Sequence, residues 1–116
     1  MEKIIRNKLD ARQKRIDQAL NSGVEPSEIQ KYESTIQYLS SVNDDSIEDE
    51  TDDGEKLRKS LIYNDYITRG YSEQRAIREV QKSFDAGSDI EDAKEALQSA
   101  KDFYINSYNK LIEDAK

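Results

Sequence analysis

Gly70-Tyr71-Ser72-Glu73-Gln74 and, seventeen residues on, Gly87-Ser88-Asp89-Ile90-Glu91 decide the fold of this chain. Each glycine stands just before a helix-start signal, so the two stretches announce consecutive helices joined by a tight turn. Ser88 with Glu91 three residues later predicts a capping box, the serine oxygen accepting an orphan backbone N–H while the glutamate reaches back. From there Ile90, Ala93, Leu97, Ala100, Tyr104, Ser107 and Leu111 recur at alternating three–four spacing. That is the seam of a helix that packs along another helix. Toward the C-terminus Phe103, Tyr104, Ile105, Tyr108, Leu111 and Ile112 spread around about half of the helix or more, which predicts burial on more than one side. Running to about Ala115, the helix would span roughly 40 Å, so its far end should project or meet a second surface.

Working outward, the spacing predicts a helix from about Glu55 to Thr68, preceded by Gly54, using Leu57, Leu61, Ile62 and Tyr66 or Ile67 on its inner side and ended by Gly70. Ser72 should cap a short helix with Ala76, Ile77, Val80 and Phe84 inward. At the other end of the chain, a first helix from about Glu2 to Asn21 places Ile5, Leu9, Ile16 and Leu20 on one face. Gly23 stops it. Pro26 fits a first helical turn, and Ile29, Tyr32, Ile36 and Leu39 carry a second helix to about Val42. The short connection between these two predicts an antiparallel hairpin.

Only four glycines and one proline interrupt 116 residues, which removes most all-β architectures. Hydrophobic residues are 34% and charged residues 37%, so a thin core or one completed by a partner is expected. The net charge of −7 is unevenly placed. Residues 1–42 hold seven basic and six acidic side chains, residues 57–116 ten and eleven, but residues 43–56 hold one lysine and eight acids. A dense like-charge run repels itself, and 43–54 reads as a flexible, solvated linker. The resulting expectation is an all-α chain: hairpin 1–42, acidic linker 43–54, and a three-helix unit 55–116 with an extended last helix.

The chain has neither histidine nor cysteine, which removes Ser-His-Asp and Cys-His catalysis and nearly all zinc constellations. Asp85, Asp89 and Glu91 could pair as carboxylates, yet acids at a helix start are expected on capping and dipole grounds. An EF-hand loop aligned on Gly54 fails, because its bidentate position would be Ser60 and its apolar position Lys56. No paired glycines form a P-loop or dinucleotide fingerprint. A non-enzyme with no cofactor and no metal site is expected. The basic face of helix one (Lys3, Arg6, Lys8, Arg12, Lys14, Arg15) shares its segment with Glu2, Asp10 and Asp17, which disfavours nucleic acid as partner. That face could instead latch onto 44–53. No apolar run reaches membrane-spanning length and no signal-peptide core is visible, so no membrane partner and a cytoplasmic location are expected.

The run from Gly70-Tyr71-Ser72 through Ala76-Ile77-Arg78 to Asp89-Ile90-Glu91-Asp92-Ala93 and Leu97 resembles ubiquitin-associated domains. That resemblance implies a small binding module with Gly70, Tyr71 and Leu97 at the contact, although the Val80–Asp89 segment is about a turn longer than in that family. The same region, with its acidic balance and high charge, is similar in style to helical assembly proteins of tailed bacteriophages, including crAss-like phages. This second resemblance implies a scaffold, virion or packaged protein in the host cytoplasm or the particle, working by contact with its own copies or coat components. A third reading is an acidic inhibitor that uses 44–53 to mimic a nucleic-acid backbone. The leading expectation is a helical interaction protein that self-associates or binds a protein partner through Phe103, Tyr104, Tyr108, Leu111 and Ile112. Whether that face meets the N-terminal hairpin or another chain stays open at the level of the pattern.

Overall fold

The computed structural model describes the backbone from Glu2 to Lys116 and side-chain surroundings from Ala11 onward. The expectations for Ile5, Leu9, Lys3, Arg6 and Lys8 therefore lie outside the described side chains. All regular structure among the described residues is helical: α1 (Glu2–Asn21), α2 (Pro26–Ser41), α3 (Asp44–Glu48), α4 (Asp52–Thr68), α5 (Glu73–Asp85) and α6 (Asp89–Ala115).

Turn chemistry sets the helix ends. At the end of α4 the Tyr71 N–H reaches back to the Tyr66 carbonyl at 3.0 Å and the Gly70 N–H to Ile67 at 3.0 Å. This is a Schellman ending, which needs a left-handed residue, and Gly70 supplies it at φ +95° without a side-chain penalty. Its accompanying apolar contact is the edge-on packing of Tyr66 and Tyr71, with centroids 4.9 Å apart. The same pair of bonds closes α1 at Gly23 and α5 at Gly87. Ser72 then starts α5 by accepting the Arg75 N–H at 3.2 Å. Ser88 behaves differently from its expected capping box. Its hydroxyl donates to the Asp92 carboxylate at 3.1 Å, beside the Ser83 hydroxyl at 2.7 Å. A carboxylate one turn into α6 satisfies buried Ser83, and Ser88 joins that arrangement.

The chain divides into two compact units, residues 1–36 with 104–116 and residues 37–103. In the first, Ala19, Val24, Ile29, Tyr108 and Ile112 form a buried cluster, with Ile16, Tyr32, Ile36 and Leu111 packed against it. The end of α6 therefore meets the N-terminal hairpin, which settles the choice between intramolecular and foreign cover for those positions. In the second unit Leu39, Ile47, Leu61, Ile62, Ala76, Val80, Ala93, Ala96 and Leu97 are buried. Ile77, expected inward, is 59% exposed, because the buried face of α5 runs through Ala76, Val80 and Ser83 and leaves position 77 on its flank.

The acidic segment, expected as a solvated linker, holds α3 and the first turn of α4. Asn43 caps α3 by accepting the Ser46 N–H at 2.8 Å, and Ile47 is fully buried. The reason lies eleven residues on. Arg58, 7% exposed, donates from Nη1 to the carbonyls of Ile47 and Asp49, both at 2.7 Å. Its Nε stands 2.6 Å from Asp89 Oδ2 but off the hydrogen-bonding direction, so charge attraction joins them. The Phe84 ring lies 5.7 Å from its guanidinium carbon. A buried cation needs this full set of partners to offset lost hydration. Gly54, expected ahead of the helix, lies inside its first turn and is buried. A Cβ there would overlap the Asp49 carbonyl oxygen and sit 2.7 Å from its carbonyl carbon, so only glycine lets the two backbones meet.

Candidate interaction site

The five positions read from the sequence as a docking face separate into two classes. Tyr108 is fully buried and Ile112 is 2% exposed, so the core of their own unit occupies them. Tyr104 and Leu111 are half-buried, and Phe103 is 45% exposed. The difference follows from helix geometry: Tyr108 and Ile112 are four apart on the stripe facing α1 and α2, whereas Phe103 lies off it. Of the alternative contact residues, Gly70 and Tyr71 are exposed, but Leu97 is 6% exposed and unavailable to a partner.

Polar residues organise the first unit as much as apolar ones. Glu33 on α2 is 4% exposed and takes two hydrogen bonds from Arg15 on α1, each 2.7 Å. Arg12 adds a longer ion pair at 3.6 Å. Burial pushes the Glu33 carboxyl upward, but the Arg15 hydrogen bonds and charge, helped by Tyr108 and Arg12, outweigh it and hold the group below the usual range. Burial, reinforced by the Glu33 charge, pushes the Tyr108 phenol up to about 12. Its buried hydroxyl lies beside the Glu33 carboxylate, close enough to interact with it but outside strict hydrogen-bonding geometry among the described residues. The Tyr32 ring stacks on Tyr108 at 5.2 Å and meets Tyr104 edge-on at 6.4 Å. Two of the six basic residues assigned to a solvated face of helix one are therefore structural partners of Glu33.

Beside this pair α1 and α2 form an open cleft of about 270 Å³. Ile16, Leu20, Pro26 and Ile29 make its apolar walls, and Arg12, Gln30, Glu33 and Ser34 its polar rim. Leu20 is 47% exposed there. Sequence reasoning placed Ile16, Leu20 and Ile29 on inward faces but missed the cleft. The signal was present in Arg12 and Glu33, charged residues that interrupt the apolar stripes of α1 and α2 and line the cleft.

Among the described residues no group of three or more His, Cys, Asp or Glu side chains is placed to hold a metal ion, and no helix is long and apolar enough to cross a membrane. The acids at the start of α6 are engaged structurally: Asp89 faces Arg58, and Asp92 accepts from Ser83 and Ser88. No family model matches the chain, and neither curated proteins nor solved structures give a match.

Proposed function

We propose that this is a non-enzymatic helical interaction protein that associates through helix faces, with phage assembly as its setting. The all-helical fold supports an interaction role, and the phage setting comes from the resemblance of its second half to assembly proteins. The observation that carries the reading is the α1–α2 cleft, whose apolar walls and half-exposed Leu20 have the form of a groove that accepts another helix. Phe103 is the part of the sequence-read face that is accessible to a partner. The first occupant to test is a second copy of the chain.

Light scattering behind a sizing column, over a hundredfold range of concentration, tests this. The expected result is a concentration-dependent oligomer that Leu20→Asp with Phe103→Asp weakens while helicity by circular dichroism is kept. Both side chains are exposed, so their replacement costs the fold little. A wild-type monomer throughout would remove self-association, and unchanged association in the double variant would remove these surfaces. By contrast Tyr108→Asp or Ile112→Asp would unfold the first unit and report on its core alone.

A further inference from the structure

The second unit carries two exposed surfaces of opposite charge. On α5, Arg75, Arg78 and Lys82 recur at helical spacing on the face opposite buried Ala76, Val80 and Ser83. They form a basic stripe about 10 Å long. Glu79 lies among them and pairs with Lys82 at 3.4 Å, which leaves a net positive face: Arg75 stacks on the Tyr71 ring at 5.2 Å, and Arg78 makes no ion pair with a described residue. Ile77, the most exposed large apolar side chain described, stands on the stripe's flank. The other surface is the α3–α4 segment. Arg58 is spent inside on the carbonyls of Ile47 and Asp49, so it anchors the segment without covering its outward carboxylates. Lys94 pairs with Glu48 at 2.7 Å, but Asp45, Glu50, Asp52 and Asp53 are exposed and make no ion pair with a described residue.

We infer that the α5 stripe docks the α3–α4 acidic segment of a second copy of this chain. Charge complementarity selects this occupant, since the chain itself carries an exposed array of carboxylates, four of which make no ion pair with a described residue. The contact joins two different patches, so it is heterologous, and repeating it builds a chain or ring of copies. Exposed charges set register and encounter more than tight affinity, which makes the contact weak, reversible and salt-sensitive. The inference rests on the reading that the protein works by helix contact, and it concerns a surface distinct from the α1–α2 cleft.

Sedimentation velocity of the full chain at about 50 mM and about 500 mM salt tests it, because screening at the higher strength acts over only a few ångströms. The expected result is association at low salt that weakens about tenfold or more at high salt. Arg75→Glu/Arg78→Glu/Lys82→Glu and Asp45→Lys/Glu50→Lys/Asp53→Lys should each lose the salt-sensitive association, and an equimolar mixture of the two should regain it. Should either triple variant lose its helicity, the neutral pair Arg78→Gln/Lys82→Gln replaces the first and Glu50→Gln/Asp53→Asn the second, each expected to weaken low-salt association. Association that ignores salt and is lost only in Leu20→Asp would overturn this contact while leaving the cleft reading intact. Association removed by the stripe variants but not by the acidic ones would overturn the choice of occupant. A monomer at low salt at every concentration, or a mixture that does not regain the salt-sensitive association, would overturn the inference outright.

Discussion

Among the described residues each of the two units buries one charged side chain, and they satisfy it in opposite ways. In the first, Glu33 is held by other side chains, Arg15 closely and Arg12 loosely. In the second, Arg58 is held chiefly by backbone, through the carbonyls of Ile47 and Asp49, with Asp89 as its one carboxylate. A pair of side chains can be exchanged for an apolar pair of similar volume, often at little cost. A backbone carbonyl cannot be exchanged. The first arrangement joins two helices, therefore, whereas the second makes one helix depend on a single cation.

The sharpest way to break this contrast is at the glycine that lets the backbone approach Arg58. Gly54→Ala must push the Asp49 backbone away, and urea unfolding followed by circular dichroism should show a loss of more than about 3 kcal/mol. A loss under about 1 kcal/mol would mean that the segment moves freely and is not anchored as described. Next, Arg58→Met leaves Asp89 and two inward carbonyls unpaired and should cost about 3 kcal/mol, whereas Arg15→Met with Glu33→Met should cost less than about half of that. Equal losses would erase the distinction between the units. The smallest effect concerns Tyr108. Its phenol rises from 10.0 to about 12, so the folded state holds the proton more tightly than the unfolded chain. That contribution is complete below pH 10 and is lost as pH rises toward about 12. Tyr108→Phe should flatten the alkaline fall in stability, measured as the difference between the two proteins, and change stability at neutral pH by under about 1 kcal/mol, since the hydroxyl meets Glu33 outside strict hydrogen-bonding geometry and Arg15 still holds that carboxylate. An alkaline profile identical to the wild type would show that Tyr108 titrates as an ordinary phenol.

Local signals explain what could be read from the residues alone. Ser72 as a cap, glycines closing helices at 23, 70 and 87, and apolar positions at three–four spacing each act within a few residues, so they survive in the linear pattern. The acidic segment was misread because self-repulsion is also a local signal, and the residue that overcomes it lies eleven positions away at Arg58. Ile47, the only apolar residue in 43–54, becomes core once Arg58 gathers the backbone around it. The candidate site was half legible for a related reason. A stripe identifies which positions on α6 face something, but not what they face, and α1 and α2 took Tyr108 and Ile112 while Phe103 stayed at the surface. The cleft and the Glu33–Arg15 pair arise between two helices, a property of neither helix by itself.

The contact between Gly54 and Asp49 also constrains how this sequence can drift. The carboxylates around it point outward and can be traded for one another, or for other polar residues, without disturbing the fold. Position 54 tolerates only the smallest residue, and position 58 only a side chain with several donors on a long arm. Descendants of this chain should therefore reorder the acids of this run while keeping its charge, and hold glycine and arginine four residues apart, a spacing by which distant kin would be known.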